Sequence, residues 1–111
     1  PWGVQDAEGF RAVFATDRPA PVGKRAQGAT PNGVHDLAGN VAEWCVDWFQ
    51  ANRYASLAVS NPPGPASGKQ RVIRGGAFSE RPDALYSCRR LGLEPQAAPN
   101  YVGFRVVVPA R

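Results

Sequence analysis

Breakers of regular structure run through this chain from end to end, and they limit what it can fold into. Twelve glycines and eleven prolines stand in 111 residues, above average usage for both. They cluster as "PNG" at 31–33, "NPPGP" at 61–65 and the pair Gly75-Gly76. Such a chain is expected to turn often and to form only short regular elements. The 10% of aromatic residues, with three tryptophans, supplies material for a core, so wholesale disorder is not expected. The length is enough for one domain at most.

The formal net charge is +4, which permits an acidic partner. The basic residues are scattered, with Lys24-Arg25, Arg71, Arg74 and Arg89-Arg90 as the nearest thing to clusters. No long run of like charge occurs, which argues against a nucleic-acid partner. Cys45 and Cys88 are the only cysteines. They lack CxxC spacing and sit among apolar or aromatic neighbours, so both are read as buried free thiols. No apolar run approaches the roughly eighteen residues of a membrane span, and no signal peptide is visible. The chain opens "PWGVQ" and contains no methionine. It is expected to be a fragment or a processed chain.

Residues 1–30 show no sustained period and read as irregular loop, with 16–23 extended by Pro19 and Pro21. "PNG" is a turn. Val41, Trp44, Cys45 and Trp48 recur at three and four, which predicts a helix over 41–49 with Trp44 and Trp48 in the core. Asn40 would cap it, and Glu43 would complete a capping box. Residues 53–70 read as a long loop. Residues 71–79, "RVIRGGAFS", read as a short strand ended by a glycine pair that marks a bulge or a close backbone approach. Residues 83–92 suit a helical turn or a strand. "YVGFRVVVP", 101–109, is a strand with a bulge at Gly103.

Asp36, Gly39 and Glu43 stand within eight residues. An acid, a turn glycine and a second acid suit a cation site, and equally suit a helix cap followed by a solvated face. Asp47 is expected to pair with an arginine or cap a turn. His35, the single histidine, makes no metal site. Ser79, Ser87 and His35 carry no triad spacing, and no phosphate loop is present.

Three blocks, "PNGVHDLAGNVAEWCVDW", "RVIRGGAFS" and "VGFRVV", resemble the signature blocks of the formylglycine-generating-enzyme (sulfatase-modifying factor) superfamily, and "PWG" resembles a further one. The resemblance implies an α+β, C-type-lectin-like fold with low regular secondary structure and long loops. It implies that residues 1–111 are the C-terminal part of a single domain whose first half precedes Pro1. It also implies one calcium ion, held by the side chains of Asp36 and Glu43 and the backbone carbonyls of Leu37, Gly39 and Val41. Calcium takes 6–8 oxygens at about 2.3–2.6 Å, mixing carboxylates with carbonyls.

In the family's oxidases two cysteines after the GGS block bind Cu(I), because soft thiolates select that ion. Here no cysteine lies between Gly76 and Cys88, Glu80 occupies the place of the first, and the second falls near residues 82–85. The serine of GGS is Ala77, and Tyr101 replaces the asparagine before GFR. No copper and no formylglycine-generating activity are therefore expected. "GGAFSERP" also resembles the sulfoxide synthases of the superfamily, whose iron-binding histidines lie on another domain.

Three readings follow from the resemblance. One is a calcium-stabilised, non-catalytic module that binds a protein or peptide through Phe78, Arg81, Tyr86, Arg90 and Tyr101, as in the retroelement-diversified variable proteins of this fold. Another is the C-terminal part of an oxidase whose chemistry lies on the missing N-terminal part of the domain. The third is a regulatory domain fused to a partner such as a kinase. Among Arg74, Arg90 and Arg105, at least one is expected in a buried ion pair.

Overall fold

The computed structural model describes residues 1–3, 7–56, 60 and 62–108. Four short strands, β1 (Ala42–Trp48), β2 (Arg71–Arg74), β3 (Leu91–Leu93) and β4 (Val102–Gly103), form one sheet in the order β3-β2-β1-β4. β2 runs antiparallel to both neighbours, with Trp44 opposite Ile73 and Val72 opposite Gly92. β4 lies parallel to β1, with Glu43 opposite Gly103. Three 3₁₀ turns, Ala26–Gly28, Arg53–Ser56 and Pro82–Ala84, are the only helical elements among the described residues. The rest of the described chain is loop, as the glycine and proline content requires.

Residues 41–49 are not a helix, and the physical reasons are local. Gly39 and Asn40 both take left-handed dihedrals, φ +77° and +63°, whereas a helix cap needs an extended residue. The side chain of Asn40 is spent on Ala20 instead, and that of Glu43 on Arg105. Tryptophan, cysteine and valine suit a pleated surface as well as a helical stripe, and β2 supplies the partner. The register slips between Trp44 and Trp48, so both tryptophans end half-buried rather than in the core.

Other expectations fare differently. The strand over 71–74 and its terminating glycine pair form as expected. The 83–92 segment holds both of its alternatives, since Pro82–Ala84 turns and Leu91 opens β3. Only Val102–Gly103 of the 101–109 segment joins the sheet. Residues 104–108 carry no strand pairing, and residue 109 lies outside the described residues. Phe104, Val106, Val107 and Val108 are 77–85% exposed there, an apolar row of the kind that marks packing surfaces. Cys88 is exposed, not buried; it lies in a surface turn with Ser87, while Cys45 on β1 is half-buried.

The core is built from small residues. Ala12, Ala38, Ala42 and Ala77 are buried with Val72, Ile73, Phe78 and Leu85. Asn40 is the one buried polar residue among the described residues, 3% exposed. Its N–H donates to the Val13 carbonyl at 2.8 Å, and its carbonyl accepts from the Phe78 N–H at 2.7 Å. Its side-chain oxygen accepts from the Ala20 N–H at 2.9 Å, and its amide nitrogen donates to the Ala20 carbonyl at 3.2 Å. Next to it the Gly39 N–H donates to the Gly75 carbonyl at 2.8 Å. A Cβ on Gly39 would lie 2.5 Å from the Val13 carbonyl oxygen, so no other residue fits this crossing.

Asn40→Ala is expected to lower stability by about 2–4 kcal/mol, because it leaves both backbone groups of Ala20 unpaired and puts alanine in the left-handed region. Asn40→Asp should fall in between, keeping the acceptor and losing the donor. Urea unfolding measures both, and an unchanged midpoint in the alanine variant would remove Asn40 from this role.

Candidate ligand cavity beside the Gly75-Gly76 turn

β2 ends at Arg74, and the chain reverses through Gly75 and Gly76, whose φ angles are +92° and +71°. A Cβ on Gly76 would lie 2.5 Å from the Leu85 side chain. This tight reversal opens a cavity of about 330 Å³ lined by Ile73, Arg74, Ala77, Glu80, Arg89, Leu91 and Tyr101, among others. Glu80 and Arg89 form an ion pair on its wall, with the guanidinium also donating to the Ala84 carbonyl at 3.1 Å. Arg74 is held by the carbonyls of Ser87 at 3.0 Å and Arg89 at 3.5 Å, and by the Tyr54 hydroxyl at 2.8 Å. The result is a partly apolar floor beside a charged wall, which suits a side chain or short peptide with one polar group.

Of the five residues predicted to bind a ligand, only Tyr101 lines this cavity. Phe78 is 4% exposed and belongs to the core. Arg81 lies on the surface and pairs with Asp83. Tyr86 is 61% exposed. Arg90 turns to a second cavity, where its guanidinium lies 4.1 Å from the Tyr54 ring and 5.5 Å from the Phe49 ring. The Glu80–Arg89 pair and Arg74 were missed as site residues. The signal available for Glu80 was its position where the family's oxidases carry their first cysteine.

Neither thiol reaches this cavity. Cys45 lines a larger one, about 590 Å³, together with Trp44, Glu43 and Arg105. Burial, more than the opposing charge of Arg74, pushes its pKa above the ordinary 9.0.

The five residues of the expected calcium site make contacts of their own. Asp36 takes a left-handed φ of +54°, and its carboxylate accepts from the Gly23 N–H at 2.7 Å. The Leu37 carbonyl oxygen packs over Gly75, 3.1 Å from where a Cβ would stand. The Gly39 N–H is spent on Gly75, and Val41 packs its side chain over Gly103. Both carboxylate oxygens of Glu43 accept from the Arg105 guanidinium, one of them at 2.6 Å from Nε. The same guanidinium donates to the carbonyls of His35 at 3.1 Å and Asp36 at 3.3 Å. The hydrogen bond to Glu43 is the main cause that raises the Arg105 pKa above its ordinary value. Among the described residues no three acidic, histidine or cysteine side chains converge as metal ligands. As arranged, Glu43 already faces a cation, because the Arg105 guanidinium donates to both of its carboxylate oxygens.

A small mixed sheet that displays long loops around a cavity is the architecture of C-type-lectin-like domains. The chain belongs to the sulfatase-modifying factor enzyme 1-like domain family, whose pattern matches residues 3–110. Among solved structures it resembles Treponema denticola variable protein 1, with a TM-score of 0.68 and 30% identity over 86% of this chain and 34% of that one. It is 42% identical to serine/threonine-protein kinase pkn1 of Chlamydia caviae over 69% of this chain and 13% of that protein. It is 32% identical to the formylglycine-generating enzyme of Bos taurus over 88% of this chain and 25% of that protein. The α+β, loop-rich fold implied by the sequence blocks is thus the fold of the chain, which spans a quarter or less of these two relatives.

Melting of the wild-type protein is expected to be the same in EDTA and in excess Ca²⁺. Arg105→Ala should cost about 1–2 kcal/mol, discounted because a third of the side chain remains in water. A calcium-dependent rise in the wild-type Tm would mean that the guanidinium yields Glu43 to the metal. Cys45 adds a pH dependence. Its folded pKa lies above 9.0, so its contribution to stability is full below that pH and is lost as pH rises through the folded value. Urea midpoints at about pH 8 and about pH 10 should diverge less in Cys45→Ala than in the wild type; equal divergence would show that other groups set the slope.

Proposed function

We propose that this chain is a non-catalytic binding module of its family, and that it receives a short peptide in the cavity beside the Gly75-Gly76 turn. The observation that supports this most is the occupant of the wall. Where the family's oxidases place a copper-binding thiolate, this chain places Glu80, already neutralised by Arg89. A carboxylate paired with a guanidinium offers hydrogen bonds to a peptide but no soft ligand for copper. The neighbouring floor of Ala77 and Leu91 and the half-exposed Tyr101 supply apolar contact, and aromatic and arginine side chains are the types that dominate binding energy. The resemblance to a variable protein of the same fold agrees with display of a ligand face.

Panning a random peptide library on the chain is expected to yield binders. Their affinity should fall at least tenfold in Ser79→Trp, which fills the cavity mouth from an exposed rim position, and in Tyr101→Ala. Incubating the same protein with Cu(I), oxygen and a cysteine-containing peptide should leave the cysteine unchanged by mass spectrometry. Conversion of that cysteine to formylglycine would overturn the proposal and favour an oxidase.

A further inference from the structure

A second, smaller cavity of about 140 Å³ lies on the other side of Arg74, where residues 62–65 fold back over the end of β1. Its wall carries three guanidiniums, of Arg53, Arg74 and Arg90, and one carboxylate, of Asp47. Arg11, Arg18, Arg81, Arg89 and Arg105 each face a carboxylate. The three arginines of this wall pair with none among the described residues. Their hydrogen-bond acceptors are all neutral. Arg53 donates to the Pro63 carbonyl, Arg74 to the carbonyls of Ser87 and Arg89 and to the Tyr54 hydroxyl, and Arg90 to the carbonyls of Gln50 and Ala51. Arg53 also keeps a buried Nε–H with no partner.

Neutral acceptors fix the direction of a guanidinium without cancelling its charge. The stacking of Arg90 on Tyr54, at 4.1 Å, fixes it further without cancelling its charge. Asp47 cannot discharge all three. No hydrogen bond or ion pair joins it to any of them, and Gly64 packs so closely that a Cβ there would lie 2.3 Å from its Oδ1. The wall is therefore two charges positive, pre-organised and rich in donors. The space suits a single tetrahedral ion and is too small for a nucleotide.

We propose that this cavity binds a dianionic oxyanion of the phosphate class through Arg53, Arg74 and Arg90. Phosphate carries about −1.5 to −2 charge at neutral pH, which matches the uncompensated charge, and arginine forks suit its planar pairs of oxygens. The ion can arrive as free phosphate or as a phosphorylated side chain of a peptide. This site is distinct from the peptide cavity, although Arg74 lines both.

The test is isothermal titration of the folded chain with inorganic phosphate at constant ionic strength, with chloride as the exchanged ion. Saturable one-to-one binding is expected. Arg53→Gln should weaken it at least tenfold, while Arg25→Gln, which removes a charge outside the cavity, should leave it unchanged. Arg53→Lys, which keeps the charge and loses the fork, should fall between the two, and it serves as the readout if the glutamine variant loses its cooperative melt. A phosphoserine peptide titrated beside its unphosphorylated form separates the sources: tighter binding than free phosphate assigns the site to a phosphorylated chain, and equal binding assigns it to the free ion. Absence of saturable phosphate binding, or equal weakening in Arg25→Gln, overturns the proposal.

Discussion

Segments far apart in sequence meet at the Gly39-Asn40 crossing, and the sheet and the cavity depend on it. Asparagine meets three demands there at once. It tolerates a left-handed backbone, it offers both a donor and an acceptor to the two backbone groups of Ala20, and it is small enough to be buried. Its own backbone ties Val13 to Phe78, and Gly39 ties the same turn to Gly75. Gly75 and Phe78 bracket Ala77, so the crossing fixes the floor of the cavity through main-chain hydrogen bonds rather than through side-chain packing. With alanine at four of the nine buried apolar positions described, the fold relies on such polar ties more than a chain with only large buried side chains would.

Loops leave carbonyls without ladder partners, and each of these must be satisfied or stay in water. In this chain arginine meets much of that need. Guanidiniums donate to the carbonyls of His35 and Asp36, Val46, Gln50 and Ala51, Pro63, Ala84, Ser87 and Arg89. A fork of five N–H groups can hold two loop segments together, which a lysine cannot do with the same geometry. The basic charge of the chain is thus tied to its shortage of regular structure. Where such an arginine also meets a carboxylate, as Arg105 meets Glu43, the charge is compensated and the contact is internal. Where it meets only carbonyls, the charge is still available to a ligand.

How much of this was legible in the sequence follows from the range of each interaction. The PNG turn, the short β2 strand and the reversal at Gly75-Gly76 are local, and propensity and steric arguments found them. The family blocks carried the loop-rich α+β fold as a whole. The misreading of residues 41–49 shows the limit: spacing fits a helix, but β2 lies thirty residues downstream and β4 sixty, and no local pattern reports that they will pair with it. The acids of the HDLAGNVAE segment show the same limit. Their proximity in sequence suited a cation site and a helix cap alike, while the residue that pairs with Glu43 is Arg105, 62 positions away. Tyr101, which lines the cavity, stood out in the sequence because it departs from a family block. Arg74 was expected only as a structural arginine, because its reach into a cavity depends on β2 lying inside the sheet.

The place of Arg74 links these themes. It stands opposite Glu43 in the β1–β2 register, yet the carboxylate turns to Arg105. That choice leaves Arg74 without a carboxylate, held by Ser87, Arg89 and Tyr54 on the walls of three cavities. Had Glu43 paired with its cross-strand neighbour, Arg105 would have lost its main anchor and the carbonyls of His35 and Asp36 their donor. The Glu43–Arg105 pair therefore does more than hold the last strand to the first. By withdrawing the cross-strand acid, it leaves the charge of Arg74 uncompensated on the walls of the cavities it lines.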